Sequence, residues 1–233
     1  MASGEMSSQT FSIFLQDSLT QLARVSLDGS LHYVFMDWRH LPELMKSGTL
    51  VYTDLINLIV WAKTNGGMGS LYRSQHELVL LFKKGHAPHV NNIELGKFNR
   101  YRTNVWTYSG VNAFGPDRNE SLAMHPTVKP VDMFADAILD VTHRGDVVLD
   151  GFLGSGTTLL AAERTGRCCR GVEIDPRYVD VALHRWMNSG GAEPVHIESG
   201  QPFSAVADAR NRQPQPGVFP CQASITAEDA HDV

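Results

Sequence analysis

Cysteine is scarce in this chain of 233 residues: Cys168, Cys169 and Cys221 are the only three. Two adjacent thiols and one distant one match neither a disulfide framework nor the paired spacing of a zinc site. A reducing, cytoplasmic setting is therefore the expectation. No apolar run approaches the ~20 residues that cross a bilayer. The segment Met1–Thr10 has neither a basic flank nor an apolar core, so no secretory signal is expected. Positive charge is not in excess either. Lys plus Arg number 20 against 25 Asp plus Glu, for a net charge of −5, so any nucleic-acid surface has to be a local patch. Internal repeats are absent, and so is any Pro-Pro dipeptide.

What is present suits a folded globule: 42% apolar and 19% charged residues, enough for one domain or at most two. Ser8–Val25 places Phe11, Phe14, Leu15, Leu22 and Val25 on one helical face, with Ser7 or Ser8 as the cap. Strands are expected at 30–36, 55–62 and 77–82, with a short helix over 41–47 that ends near Gly48. Residues 86 to about 124 lack clean periodicity. Beyond them come a helix after Pro130, a strand at 147–150, a helix from Thr157 to Arg164, a strand at 170–173 and a helix from Pro176. Strands alternating with helices imply βαβ units and a parallel-dominated sheet. The expected organisation is one α/β domain over 1–199 and a flexible, Pro-rich tail over 200–233.

Asp150-Gly-Phe-Leu-Gly-Ser-Gly-Thr-Thr158 joins a strand to a helix. Its glycines allow a sharp turn and close approach of a ligand to the main chain, and the helix start offers free N–H groups. Gly151 and Gly156 have P-loop spacing, but Thr157 stands where the lysine belongs. A dinucleotide loop is also a poor match, because Leu159 fills the third glycine position. S-adenosylmethionine needs neither lysine nor third glycine. It needs tight backbone approach and an acid for its ribose, and Glu173 ends the next strand in Gly171-Val-Glu-Ile-Asp-Pro176.

Taken together, these motifs resemble the amino-methylating DNA methyltransferases that make N6-methyladenine or N4-methylcytosine, in their permuted β-type order. Trp61-Ala-Lys63 through Tyr72-Arg73-Ser-Gln-His76-Glu77, then His125-Pro-Thr-Val-Lys-Pro130, then the glycine loop and Gly171–Pro176 carry the resemblance over roughly 8–199. It implies a Rossmann-like methyltransferase sheet with flanking helices and S-adenosylmethionine as cofactor. Asp150, Phe152, Gly154, Ser155, Gly156 and Thr157 would line that cofactor. Glu173 would hold its ribose, and Thr127 and Lys129 would lie near its methionine carboxylate. Gly151 departs from the family's usual proline after the loop's Asp, which implies a looser turn.

The resemblance also implies an Asp/Asn/Ser-Pro-Pro-aromatic tetrapeptide at a strand end, which aims the target amine at the methyl group and stacks the flipped base. With no Pro-Pro it is absent. Asp175-Pro-Arg-Tyr178 is only a superficial likeness, because Arg177 replaces the second proline and the segment reads as a helix start. No catalytic residue is therefore assigned. The expectation is the carboxyl-terminal portion of a longer methyltransferase, missing one central strand and impaired in methyl transfer. The alternative is a non-catalytic DNA- or cofactor-binding remnant. From Lys83 to Arg102, five basic residues face one acid. Lys83, Lys84, Lys97, Arg100 and Arg102, together with Arg73, are the candidate contacts to double-stranded DNA, and 83–124 the candidate recognition insert. His32, His40 and His143 read as structural.

Overall fold

The computed structural model describes residues 6–67, 69, 71–97, 101–110 and 129–212. The chain divides into two compact units, Met1–Gly191 and Ala192–Val233, a boundary earlier than the one expected after residue 199.

In the first unit, helix α1 (Ser8–Val25) starts where the Ser7 hydroxyl accepts the Thr10 N–H at 3.2 Å, and it buries Leu15, Leu19 and Ala23. Helix α2 (Leu41–Val51) runs past the expected stop. Gly48 does not end it. A Cβ there would lie 2.2 Å from the ring of Phe82, so the glycine lets the helix press against the sheet.

Strands β1 (Leu31–Met36), β2 (Asp54–Lys63), β3 (His76–Lys83) and β4 (Val105–Tyr108) form one sheet in the order β1-β3-β2-β4. β3 is antiparallel to both neighbours, and only β2 and β4 are parallel. The expected parallel dominance fails in this sheet because the connection over 64–75 is a hairpin that returns β3 directly beside β2, so the two pair antiparallel. The apolar run of β3 is buried on both faces. Leu80 and Phe82 meet α1 and α2, while Val79 and Leu81 pack with Ile59, Trp61, Trp106 and Met133. β4 lies inside the stretch without periodicity. It is four residues long, and Trp106 is its buried member.

Helix α3 (Val131–Val141) leads to β5 (Val147–Asp150), helix α4 (Thr157–Thr165) and β6 (Cys168–Gly171). β5 and β6 pair in parallel as a separate two-stranded sheet, which is the expected βαβ unit. Gly166, at φ 72°, ends α4. Helix α5 (Pro176–Asn188) opens with Asp175 accepting the Arg177 N–H, the helix start expected for this tetrapeptide.

The second unit is not a featureless tail. Glu193 accepts the Ser204 N–H at 2.9 Å, Val195 bridges to Pro202, and helix α6 (Phe203–Arg212) follows. Proline content suggests a flexible segment, but the alanines between Phe203 and Arg210 favour a helix once its first turn is capped.

β1, β2 and β4 run the same way, so their carboxyl ends share one edge with the start of β3. Lys129 joins this edge to the glycine loop. Its amine lies 4.0 Å from Glu77 Oε2 and 5.3 Å over the Phe35 ring, and its carbonyl accepts the Thr157 hydroxyl at 3.3 Å. The carboxyl end of β5 therefore belongs to the same edge.

Candidate functional site

The loop between β5 and α4 is held from inside by its own acid. Asp150 Oδ1 accepts the Phe152 N–H at 2.9 Å, and Oδ2 accepts the Thr158 hydroxyl at 2.5 Å. Gly154 and Gly156 take φ of 53° and 81°, a region that side chains disfavour. A Cβ on Gly156 would also come within 2.8 Å of the Ala182 Cβ on α5. Both features keep the backbone of this turn bare.

Glu173 lies between two loops. Its Oε2 accepts the Gly154 N–H at 2.7 Å and its Oε1 the Asp175 N–H at 2.9 Å. Each carboxylate oxygen keeps a second lone pair, so the side chain is fixed yet still able to accept from a diol. Phe152 is 60% exposed at the crevice mouth, braced edge-on by Phe14 at 6.0 Å. Ser155 and Thr157 are buried. Ser155 takes two hydrogen bonds from Arg185 of α5, at 2.6 and 2.9 Å, and Thr157 is spent on the Lys129 carbonyl. What these two residues present to a ligand is main chain. Arg185, whose pKa burial lowers, is a loop support the sequence reading missed. An arginine 30 positions downstream gives no local signal.

Lys129 is not a lone cation. Glu77 at the start of β3 holds Lys63 at 2.6 Å and faces Lys129. Among the described residues, two lysines share this one carboxylate at the edge, which favours an anionic group there. Thr127 and the rest of 125–128 lie outside the described residues.

The structure describes five of the six candidate DNA contacts, and they lie in different places. Lys83 ends β3, opposite Leu31 and Asp54, and Lys84 follows it. They therefore sit at the far edge of the sheet from the glycine loop, and the Lys84 amine donates to the Ser26 carbonyl at 2.9 Å. Arg102 is engaged by acids: its Nε lies 2.5 Å from Asp140, and Asp136 is 3.8 Å away, with the guanidinium over Trp106. The Arg73 guanidinium closes its own loop on the Gly66 and Gly67 carbonyls. Lys97 is exposed and 3.6 Å from Glu94. Arg100 lies outside the described residues. The site edge instead presents residues to which the sequence reading gave no role in binding. Trp38, 51% exposed with Arg39 stacked on it, follows β1, and Tyr72, 83% exposed, tips the β2–β3 hairpin. An aromatic beside a cation at a strand's carboxyl end is the signal that marks the first pair.

The family model for DNA methylases matches residues 2–184. The chain belongs to the DNA methylase family. The type II methyltransferase M.HpaI of Haemophilus parainfluenzae is 28% identical over 189 residues, covering 74% of this chain and 58% of its own length. M2.DpnII of Streptococcus pneumoniae is 32% identical over 139 residues, covering 56% and 50%. This DNA methylase chain thus spans about half the length of the curated relatives it matches. Among solved structures, the M1.HpyAVI–SAM complex superposes with a TM-score of 0.63 at 23% identity, over 77% of this chain and 84% of that one. The cytosine-N4-specific PvuII DNA methyltransferase gives 0.66 at 18% identity, over 91% and 79%. At these identities the structures establish the fold: a mixed α/β sheet with flanking helices, as the sequence implied.

Proposed function

We propose that this chain forms the S-adenosylmethionine-binding part of a site-specific DNA methyltransferase acting on an exocyclic amino group of adenine or, as the second choice, cytosine. The single observation that carries the reading is Glu173, fixed by the N–H groups of Gly154 and Asp175 beyond the carboxyl ends of β5 and β6, where open α/β sheets bind ligands. The cofactor supplies an electrophilic methyl group on a sulfonium. Glu173 would accept the ribose hydroxyls with its free lone pairs, and exposed Phe152 would offer an apolar face to the base. The bare turn at Gly154–Gly156 lets the ligand touch main chain, and the surplus charge of Lys63 and Lys129 favours the carboxylate end. Trp38, Arg39 and Tyr72 form the DNA-facing rim on this edge. Lys83, Lys84 and Arg102 are left out of it, the first two for their position and the last for its acidic partners.

The Pro-Pro tetrapeptide that would orient the target amine has no counterpart in this sequence. The chain by itself is therefore a weak catalyst or none, and a cofactor- and DNA-binding remnant is the second reading that the missing Pro-Pro favours. Calorimetric titration with S-adenosylmethionine tests the cofactor reading. The expected result is saturable binding to the parent chain, lost in Glu173→Ala and weakened in Phe152→Ala, with both variants melting cooperatively. A cooperatively folded parent that binds no cofactor would overturn it.

A further inference from the structure

Lys63 and Lys129 both face Glu77, but at different distances. The Lys63 amine donates to Glu77 Oε1 at 2.6 Å, a charge-assisted hydrogen bond. The Lys129 amine stands 4.0 Å from Oε2, beyond hydrogen-bond reach. Register accounts for the first contact. Glu77 lies opposite Trp61 across the β2–β3 pair, and Lys63 is two positions past Trp61. Alternation then sets the Lys63 and Glu77 side chains on one face as diagonal neighbours. Trp61, Val79 and Phe35 share that face in the core cluster under α3. Lys129 reaches the same face from the head of α3, with its amine 5.3 Å over the Phe35 ring.

Lys63 is the better anchored of the two lysines. Its N–H donates to the Gln75 carbonyl at 2.8 Å, and its own carbonyl accepts the Gln75 side-chain amide at 2.9 Å. Its amine lies 4.8 Å over the Trp61 ring. Gly110 closes on its stem, where a Cβ would come within 3.2 Å of the Lys63 Cδ. Lys129 is tied through its main chain, by the Thr157 hydroxyl at the start of α4. The other acids near this edge are engaged elsewhere: Asp37 with His40, Asp132 with Arg164, and Asp150 inside the glycine loop. Among the described residues, Glu77 is the only carboxylate within 4.0 Å of either lysine.

A carboxylate between two ammonium groups makes its close pair with the nearer and better held one, and Lys63 is that one. With Lys63 made neutral, Lys129 is the nearest cation left to Glu77 among the described residues, on a flexible four-carbon stem. We propose that Lys63 is a positioning residue that sets ligand selection. By holding Glu77, it keeps the Lys129 ammonium free for a ligand carboxylate in the crevice. Lys63 acts through Glu77 and not by contact with the ligand. That the ligand is S-adenosylmethionine rests on the cofactor reading; the hold of Lys63 on Glu77, and through it on Lys129, does not.

Calorimetric titration of the full chain compares S-adenosylmethionine with its decarboxylated form, which keeps the sulfonium and the amine and lacks only the carboxylate. Lys63→Met keeps an unbranched stem and removes the charge. It should weaken S-adenosylmethionine by about tenfold, the loss of one charge-assisted contact, and the decarboxylated form by less than about twofold. Adding Glu77→Gln removes the competitor and should bring S-adenosylmethionine back to within about threefold of the parent. A Lys63 that only supports the fold would weaken both ligands alike, with a further loss on the second substitution, and either result overturns the proposal. Glu77→Gln alone should hold or strengthen S-adenosylmethionine; a loss there would make Glu77 the residue that orders Lys129 and overturn it too. Trace acetylation of Lys129, read by mass spectrometry without any ligand, keeps the two readings apart. An amine drawn into a close ion pair acylates more slowly, so Lys63→Met should slow Lys129 labelling by about threefold or more, and the double variant should restore it. Unchanged labelling overturns the proposal whatever binds. Labelling that shifts as stated in a chain that binds neither ligand upholds the hold on Lys129 and sinks only the cofactor reading.

Discussion

The Glu173 carboxylate accepts main-chain N–H groups from loops that follow two different strands, so it stabilises the crevice before any ligand arrives. Replacing it by glutamine turns one of those oxygens into a donor facing an N–H. Leaving a partly buried donor unmatched costs about 1–3 kcal/mol, and Glu173→Gln should lose that much in urea denaturation besides losing cofactor affinity. Unchanged stability would mean that the two hydrogen bonds contribute nothing. Gly48 offers a test of opposite logic. Alanine is the better helix former by ~1 kcal/mol, but its Cβ would meet the Phe82 ring at 2.2 Å. That ring is fully buried and stacked on Tyr52 at 4.9 Å, with no room to move. Gly48→Ala should therefore destabilise by about 1–3 kcal/mol. A stabilised variant would show that α2 can lift from the sheet at no cost.

Two elements carry titrating groups that oppose each other. His32 on β1, hydrogen-bonded to the Tyr52 hydroxyl at 2.9 Å, is pushed down to about 4 by burial and by nearby Lys84. Between pH 6.5 and 4 the unfolded chain takes up this proton and the native chain does not, so stability falls as pH drops through that window. Asp140 on α3 is raised to about 6 by burial, with Arg102 pulling it back. Between about pH 6 and 4 the native chain holds that proton and the unfolded chain does not. Its contribution therefore has the other sign and is lost as pH rises. Each limb is on the order of 3 kcal/mol, so the parent should show a shallow acid profile. Asp140→Asn removes the opposing limb and should make the fall between pH 6.5 and 4 steeper in urea titrations. A profile that stays shallow would place the Asp140 pKa near its ordinary value.

Across the whole molecule, the direction of β3 decides which charges can work together. It carries Lys83 and Lys84 to the far edge, while the hairpin before it brings Tyr72 to the same edge as the carboxyl end of β1, which Trp38 follows. On a fluorescent duplex oligonucleotide, Tyr72→Ala should weaken binding by about 1 kcal/mol or more, and Lys83→Ala by less than about twofold. The reverse order would move the DNA surface to the opposite edge. The glycine loop, its acid Asp150, Glu173 and the helix start at Asp175 were legible because each depends on neighbours a few residues away, in turns and caps that local chemistry dictates. α1 and the β5-α4-β6 unit were legible for the same reason, through periodicity and the stop at Gly166. β4 was not, being four residues long in polar surroundings, nor was α6, whose alanines were outweighed by nearby prolines. Arg73, Lys84 and Arg102 read as free cations because charge is visible in a sequence and partners are not. Only folding set them against the Gly66 and Gly67 carbonyls, the Ser26 carbonyl and Asp140. The sequence by itself determined the family, the glycine loop and the acid beside it, since these are local patterns. The tertiary structure alone decided the strand directions and the edge on which each charge lies, because long-range pairing is set by which surfaces can be buried together.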